Sequence, residues 1–198
     1  MLSVVGAGPG NPKYLTEEAI GIIGRADRVI AFGRIAESIR SIRKDVVRIS
    51  SVDQVEMELE HEGNIVLLAS GDPTFYGIVG YLRKNGIKAD SIVPGISSMQ
   101  YMFSILGLEW QDAYLSSAHG RKLELDSILE RNLSVVLLDK ENTPDMISTK
   151  LYEAGARGRI HAGSNLSYDD EMIISCMIGD RIQVESNLTM VVIENENN

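Results

Sequence analysis

The run Ile65-Val66-Leu67-Leu68-Ala69 has no polar side to turn toward water. A strand of this composition is stable only with both faces covered, the environment of a parallel sheet flanked by helices. The rest of the first half agrees. Short β-branched runs at 2–5, 28–32, 46–49 and 89–93 read as strands and alternate with helical patterns. Thr16 opens the first helix as its N-cap, with Ala19, Ile20 and Ile23 on the apolar face. Further helices are expected over 35–42, from 51–53 to 60, over 76–84 and over 97–106. This alternation predicts an α/β fold.

Residues 107–112 read as a boundary, because the pattern restarts after them. Strands are expected at 113–116, 134–139, 159–162, 171–178 and 188–194, with helices over 123–132 and 143–154. The last three strands follow one another with short turns, so the second half is more β-rich and mixed in direction. Two α/β lobes follow, 1–107 and 112–198, with a frayed tail at 195–198. A cleft between such lobes is a preferred ligand position.

Composition narrows the function classes. The 198 residues carry a net charge of −9, against the broad Lys/Arg footprint of nucleic-acid binding. Cys176 is the only cysteine, which excludes an internal disulfide and a multi-cysteine metal site. It reads as buried filler in a strand. No apolar run approaches the roughly 20 residues of a membrane helix. The N-terminus begins as a strand without a basic leader, so the expected location is a reducing cytoplasm. No Ser-His-Asp set and no metal-spaced cluster is present, so no catalytic side chain and no metal ligand are assigned. His61 and His161 read as structural or exposed.

Three loops carry the chemistry. The first, Gly6-Ala7-Gly8-Pro9-Gly10-Asn11-Pro12, tempts a dinucleotide reading. That fingerprint needs a sixth-position glycine running straight into a helix, whereas Asn11 and Pro12 stand there and the helix waits until Thr16. No Gly-Lys-Ser/Thr follows, so a Walker loop fails too. The second, Ser70-Gly71-Asp72-Pro73-Thr74-Phe75-Tyr76-Gly77, ends the most apolar strand, where α/β proteins hold ligands. Asp72 has two readings: an Asx turn that caps the next segment, or a carboxylate facing a cationic ligand. The third, Pro94-Gly95-Ile96-Ser97-Ser98-Met99-Gln100, also leaves a strand and opens a helix.

Taken in this order, the three loops resemble the tetrapyrrole methylases, a family that transfers methyl groups from S-adenosylmethionine. The resemblance runs the length of the chain. It continues through Leu115-Ser116-Ser117-Ala118-His119-Gly120-Arg121, Leu137-Leu138-Asp139 with Asn142-Thr143-Pro144, Gly163-Ser164-Asn165-Leu166-Ser167-Tyr168 and Asn187-Leu188-Thr189-Met190-Val191-Val192. Within the family it is most similar to the precorrin branch of cobalamin synthesis, which implies carbon 5 of cobalt-precorrin-7 as acceptor. Related chains about twice as long add a decarboxylating carbon-15 methylase, so that chemistry is expected from a separate partner chain.

The resemblance further implies two α/β lobes with the cofactor S-adenosylmethionine in the cleft between them, and a homodimer. Pro9, Gly71, Asp72, Phe75, Ser97, Ser98, Leu138 and Leu188 are the implied cofactor contacts. A tetrapyrrole carries many carboxylates, and His119 and Arg121 are the candidate substrate contacts, with Lys122 beside them and Arg34 a weaker choice. In a stretch resembling G-x-E-x-L-S-Y, this chain has Asn165 in place of the family's Glu. Two alternatives stay open from sequence: another acceptor for the same cofactor, or a ligand-binding subunit without catalysis.

Overall fold

The computed structural model describes residues 1–184, 186 and 188–197. Asn187 of the closing motif and Asn198 of the expected tail lie outside the described residues. The chain divides into two compact units, Met1–Ser98 and Met99–Asn198.

The first unit runs β1 (Leu2–Gly6), α1 (Glu17–Arg25), β2 (Arg28–Phe32), α2 (Gly33–Ser38), β3 (Val47–Ile49), α3 (Asp53–Glu58), β4 (Ile65–Ala69), α4 (Ile78–Lys84) and β5 (Ser91–Val93). Its sheet has the order β3-β2-β4-β1-β5, with every pairing parallel. Alternate residues feed two cores. Val5, Val29, Val66 and Leu68 pack with Ala19 and Ile23 of α1 and Ile35 and Ala36 of α2. Val4, Ile30, Ile65 and Leu67 pack with Val55 of α3 and Leu82 of α4. Each fully buried Leu or Ile here stabilises the unit by about 1.5–3 kcal/mol. The apolar run at 65–69 is therefore the buried central strand its composition demands.

Helix α1 is capped by Thr16, whose Oγ1 accepts from Ala19 N at 3.1 Å. Ile20 is not on its buried face: it is 42% exposed, while Ala19 and Ile23 carry the packing. The helices are shorter than their periodicity suggests. The stretch expected over 35–42 is α-helical only to Ser38 and then tightens into a 3₁₀ turn, Ile39–Ser41. Helix α4 starts at Ile78 because Tyr76 adopts φ 49°, outside the helical region.

The second unit contains α5 (Ser98–Leu106) from Met99 onward, β6 (Tyr114–Ser117), α6 (Leu125–Leu129), β7 (Leu133–Leu137), α7 (Pro144–Glu153), β8 (Gly158–Ser164), β9 (Met172–Met177) and β10 (Thr189–Asn195). The division falls after the first residue of α5, between Ser98 and Met99, earlier than the 107–112 boundary read from the sequence. The reason is packing: Met99, Met102 and Phe103 are buried, and a methyl placed on Gly163 of β8 would come 3.0 Å from Met102 Sδ. The sheet order is β6-β7-β10-β8-β9, with β6 and β7 parallel and the other pairs antiparallel.

Val136, Ile160, Ala162, Val191 and Ile193 form its core with Ile128 of α6 and Ile147 and Leu151 of α7. His161 is buried on β8, with Nδ1 2.7 Å from Ser175 Oγ and Nε2 2.8 Å from Glu194 Oε1, so it is satisfied across three strands. The expected tail is not frayed at Asn195. That residue closes β10, is buried, and donates to Asn132 O and Leu129 O. No helix among the described residues is long and apolar enough to cross a membrane.

Candidate functional site

Strand order places the three loops side by side. β1 lies between β4 and β5, so the segments leaving all three emerge at one carboxyl edge of the sheet. They are laced by backbone. Ala7 N donates to Ala69 O at 2.8 Å, and Gly71 N donates to Gly8 O at 2.8 Å. The approach is so close that side chains are excluded. A methyl on Gly6 would lie 2.6 Å from Gly95 N, and one on Gly95 would lie 2.3 Å from Gly71 O. Gly71 faces Ser97 across the same gap.

Asp72 ties this edge together. Its Oδ1 accepts from Thr74 N at 2.8 Å and from the Thr74 hydroxyl, and its Oδ2 accepts from Gly95 N at 3.3 Å. Burial pushes the carboxyl up, but the Thr74 hydroxyl and the N–H groups of Thr74, Gly95 and Phe75 outweigh it and hold Asp72 below its ordinary value. The Asx-turn reading of Asp72 is thus what the geometry displays, with a second link to the neighbouring loop.

Pro9 and Ser97 are buried at this edge, Ser98 begins α5, and Phe75 stacks edge-on to Tyr76 with ring centroids 4.9 Å apart. Segments 6–12, 69–77 and 94–100 hold no Lys or Arg. Ser98 opens α5 here, but no cation accompanies that helix N-terminus to balance a phosphate. Backbone carbonyls, hydroxyls and a nearby carboxylate instead suit a cationic ligand such as a sulfonium. The residues present fit S-adenosylmethionine.

The second unit carries the remaining candidates. Leu138 is buried in the core, so it offers a ligand only its backbone. Leu138 N donates to Thr189 O at 3.0 Å, and Leu138 O sits 3.3 Å from His119 Nδ1. Leu188, next to Thr189, is 48% exposed. These three residues therefore cluster. A carbonyl only accepts, so the contact assigns the proton of a neutral His119 to Nδ1. His119 and Arg121 are exposed on the loop after β6.

Sequence reasoning named the loops but missed their staples. Asp139 follows β7 and accepts from Gly120 N, Glu141 N and Asn142 N. The hydrogen bond from Gly120, followed by that from Asn142, holds its carboxyl far below the ordinary range. The signal was present as Asp-x-x-Asn-Thr-Pro, the composition of an Asx turn running into a capped helix. Asn165, the departure from the family pattern, has φ 48°, where Asn is tolerated better than most residues. Its amide donates to Asp170 at 2.9 Å and its Oδ1 accepts from Ser186 at 2.7 Å. A carboxylate could not donate to Asp170.

Comparison with known proteins agrees with this arrangement. The family model described as Tetrapyrrole (Corrin/Porphyrin) Methylases matches residues 1–180. A cobalt-precorrin-7 C(5)-methyltransferase of Salmonella typhimurium is 30% identical over 182 residues, spanning 87% of this chain and 89% of the relative. The crystal structure of a precorrin-6Y methylase of cobalamin biosynthesis from Archaeoglobus fulgidus superposes with a TM-score of 0.77 at 26% identity, covering 99% of this chain and 98% of that one. A uroporphyrin-III C-methyltransferase from Thermus thermophilus, solved with S-adenosylhomocysteine, shares the fold at a TM-score of 0.78 and 20% identity, covering 96% of each chain. With the family match running over residues 1–180, the chain belongs to the tetrapyrrole methylases.

Proposed function

We propose that this protein is an S-adenosylmethionine-dependent methyltransferase of corrin biosynthesis that methylates carbon 5 of cobalt-precorrin-7. The observation that carries the cofactor assignment is the cation-free, glycine-laced edge formed by the loops after β1, β4 and β5. The acceptor assignment is supported by the Salmonella relative, which matches over most of both chains.

When bound, S-adenosylmethionine supplies an electrophilic methyl group on a cationic sulfur. The residues of this chain bind and orient. Pro9, Gly71, Asp72, Phe75, Ser97 and Ser98 form the proposed contacts in the first unit. Leu138, through its backbone, and Leu188, through its side chain, are the proposed contacts in the second. The tetrapyrrole carbon is itself the nucleophile, so the chain needs no activated serine or cysteine. Its contribution is alignment and exclusion of water. His119 and Arg121 are the proposed anchors for substrate carboxylates. The proposal includes a homodimer working in the cytoplasm.

The test is calorimetric titration with S-adenosylhomocysteine, followed by incubation of the protein with cobalt-precorrin-7 and methyl-labelled S-adenosylmethionine. Micromolar or tighter binding and label at carbon 5 are expected. A folded sample that binds no S-adenosylhomocysteine refutes the methyltransferase reading. Binding without transfer to cobalt-precorrin-7 refutes the acceptor alone.

A further inference from the structure

The turn that carries His119 and Arg121 is more tightly held than an exposed loop needs to be. Arg121 N donates to Ala118 O at 3.3 Å, closing a four-residue turn. Gly120 occupies its third position at φ 63°, the signature of a type II turn. Three further bonds fasten this turn to the segment after β7. Asn142 Nδ2 donates to Ala118 O at 3.1 Å, Gly120 N donates to Asp139 Oδ2 at 2.9 Å, and His119 Nδ1 sits 3.3 Å from Leu138 O. Ala118 N adds a 2.8 Å bond to Leu137 O.

Asp139 divides its two oxygens between two tasks. Oδ1 accepts from Glu141 N at 3.0 Å, Asn142 N at 2.8 Å and Asn142 Nδ2 at 3.1 Å, which builds the turn of its own segment. Oδ2 reaches across to Gly120 N. Four neutral donors thus stabilise the carboxylate in its charged form.

We propose that Asp139 is a positioning residue for the tetrapyrrole: through Gly120 it fixes the turn so that His119 and Arg121 meet substrate carboxylates in one preset geometry. The inference rests on the tetrapyrrole reading given above. Its physical content is pre-organisation. A turn ordered during folding loses no further conformational freedom on binding, whereas a loose turn loses it at that moment and binds more weakly. The Leu138 carbonyl completes the device by accepting from Nδ1–H and so orienting the imidazole, and Nε2–H of the protonated ring is the donor that meets a carboxylate.

The variant Asp139→Asn separates the two tasks. It keeps an oxygen for Glu141 and Asn142 but turns an N–H donor toward Gly120 N–H, cutting one of the four bonds between the segments. Steady-state kinetics with cobalt-precorrin-7, a fluorescence titration with uroporphyrin III as a stable polycarboxylate probe, and calorimetry with S-adenosylhomocysteine are run on the same preparations. The expected result is a KM and a uroporphyrin III Kd raised about ten- to a hundredfold, the loss expected for one charge-assisted bond. The kcat and the S-adenosylhomocysteine Kd stay within about twofold, since the first-unit loops are untouched and Leu138 N keeps its bond to Thr189 O.

Gly120→Ala, which meets no atom within 4 Å but strains the same φ, should raise KM in the same way. An unchanged KM and Kd in Asp139→Asn overturns the positioning role. Parallel losses of tetrapyrrole and cofactor affinity overturn it in favour of a general structural role. Wild-type protein that neither turns over cobalt-precorrin-7 nor binds uroporphyrin III overturns the tetrapyrrole reading, and this inference with it.

Discussion

Gly95→Ala is the sharpest test of the laced edge. The added methyl would lie 2.3 Å from Gly71 O and 2.9 Å from both Gly6 Cα and Gly6 C, where ordinary contact begins at 3.4 Å. All three atoms are backbone, held in β1 or directly after β4, so no rotamer change relieves the overlap. The loop after β5 must retreat by about 1 Å. Forced overpacking of this kind costs about 1–3 kcal/mol. The retreat also stretches the 3.3 Å bond from Gly95 N to Asp72. Losing a hydrogen bond to a charged group adds about 1.5–3 kcal/mol.

Together these give roughly 2.5–6 kcal/mol, and at about 2–4 °C per kcal/mol for a chain of this size Tm falls by roughly 5–24 °C. Differential scanning calorimetry reads this directly. S-adenosylhomocysteine affinity falls at least about tenfold in the same variant, because the loops no longer meet. Gly24→Ala is the matched control: it lies in α1 with nothing within 4 Å, so it gains about 1 kcal/mol of helix propensity. A Gly95→Ala protein melting within about 2 °C of wild type would refute the argument that backbone contact between loops makes the site.

Three other outcomes are expected. Arg121→Ala weakens uroporphyrin III binding about tenfold and leaves S-adenosylhomocysteine affinity at the wild-type value; fluorescence and calorimetric titrations decide, and equal losses would place Arg121 in the cofactor site or the fold. Asp72 and Asp139 both titrate below the ordinary carboxylate value when folded, so their stabilisation is fully present above about pH 4 and is lost as pH falls below it. Urea midpoints taken from pH 7 to pH 3 should therefore drop more for wild type than for Asp72→Asn/Asp139→Asn, and parallel curves would contradict this. Thr16→Ala removes the acceptor for Ala19 N and costs about 1 kcal/mol in urea unfolding; an unchanged midpoint would mean that Thr16 does not cap α1.

Much of the first unit was legible in its residues because both faces of its central strands are buried. Strands such as 28–32 and 65–69 announce themselves without regard to partners. Helix ends were not legible, since Tyr76 at φ 49° and the 3₁₀ turn at 39–41 answer to local geometry that periodicity does not encode. Ile20 looked apolar enough to be buried, but α1 is covered on one side only. The tail at Asn195 was misjudged because its partners, Asn132 and Leu129, lie over sixty residues away in sequence.

The site followed the same rule. The loops were visible as glycine-rich strand ends. The Asp72–Gly95 and Asp139–Gly120 links were not, because each depends on which strands become neighbours. Asn165 read as a gap in a pattern. In the fold it is a hydrogen-bonded node at a left-handed position.

The central position of β1 also dictates timing. The first strand of this unit to be made is sandwiched between two that are made much later, Ile65–Ala69 and Ser91–Val93. At about 5–20 residues per second, the gap between Gly6 and Ile65 leaves Leu2–Gly6 without a partner for roughly 3–12 s. All five of those residues are buried in the finished sheet. During translation they form a sticky, β-prone segment whose native sheet neighbour is missing until β4 appears. Slow codons or low temperature ahead of residue 65 would lengthen that window. Yield of soluble protein should depend on translation rate and on holdase chaperones, even though the completed unit buries the segment on both faces.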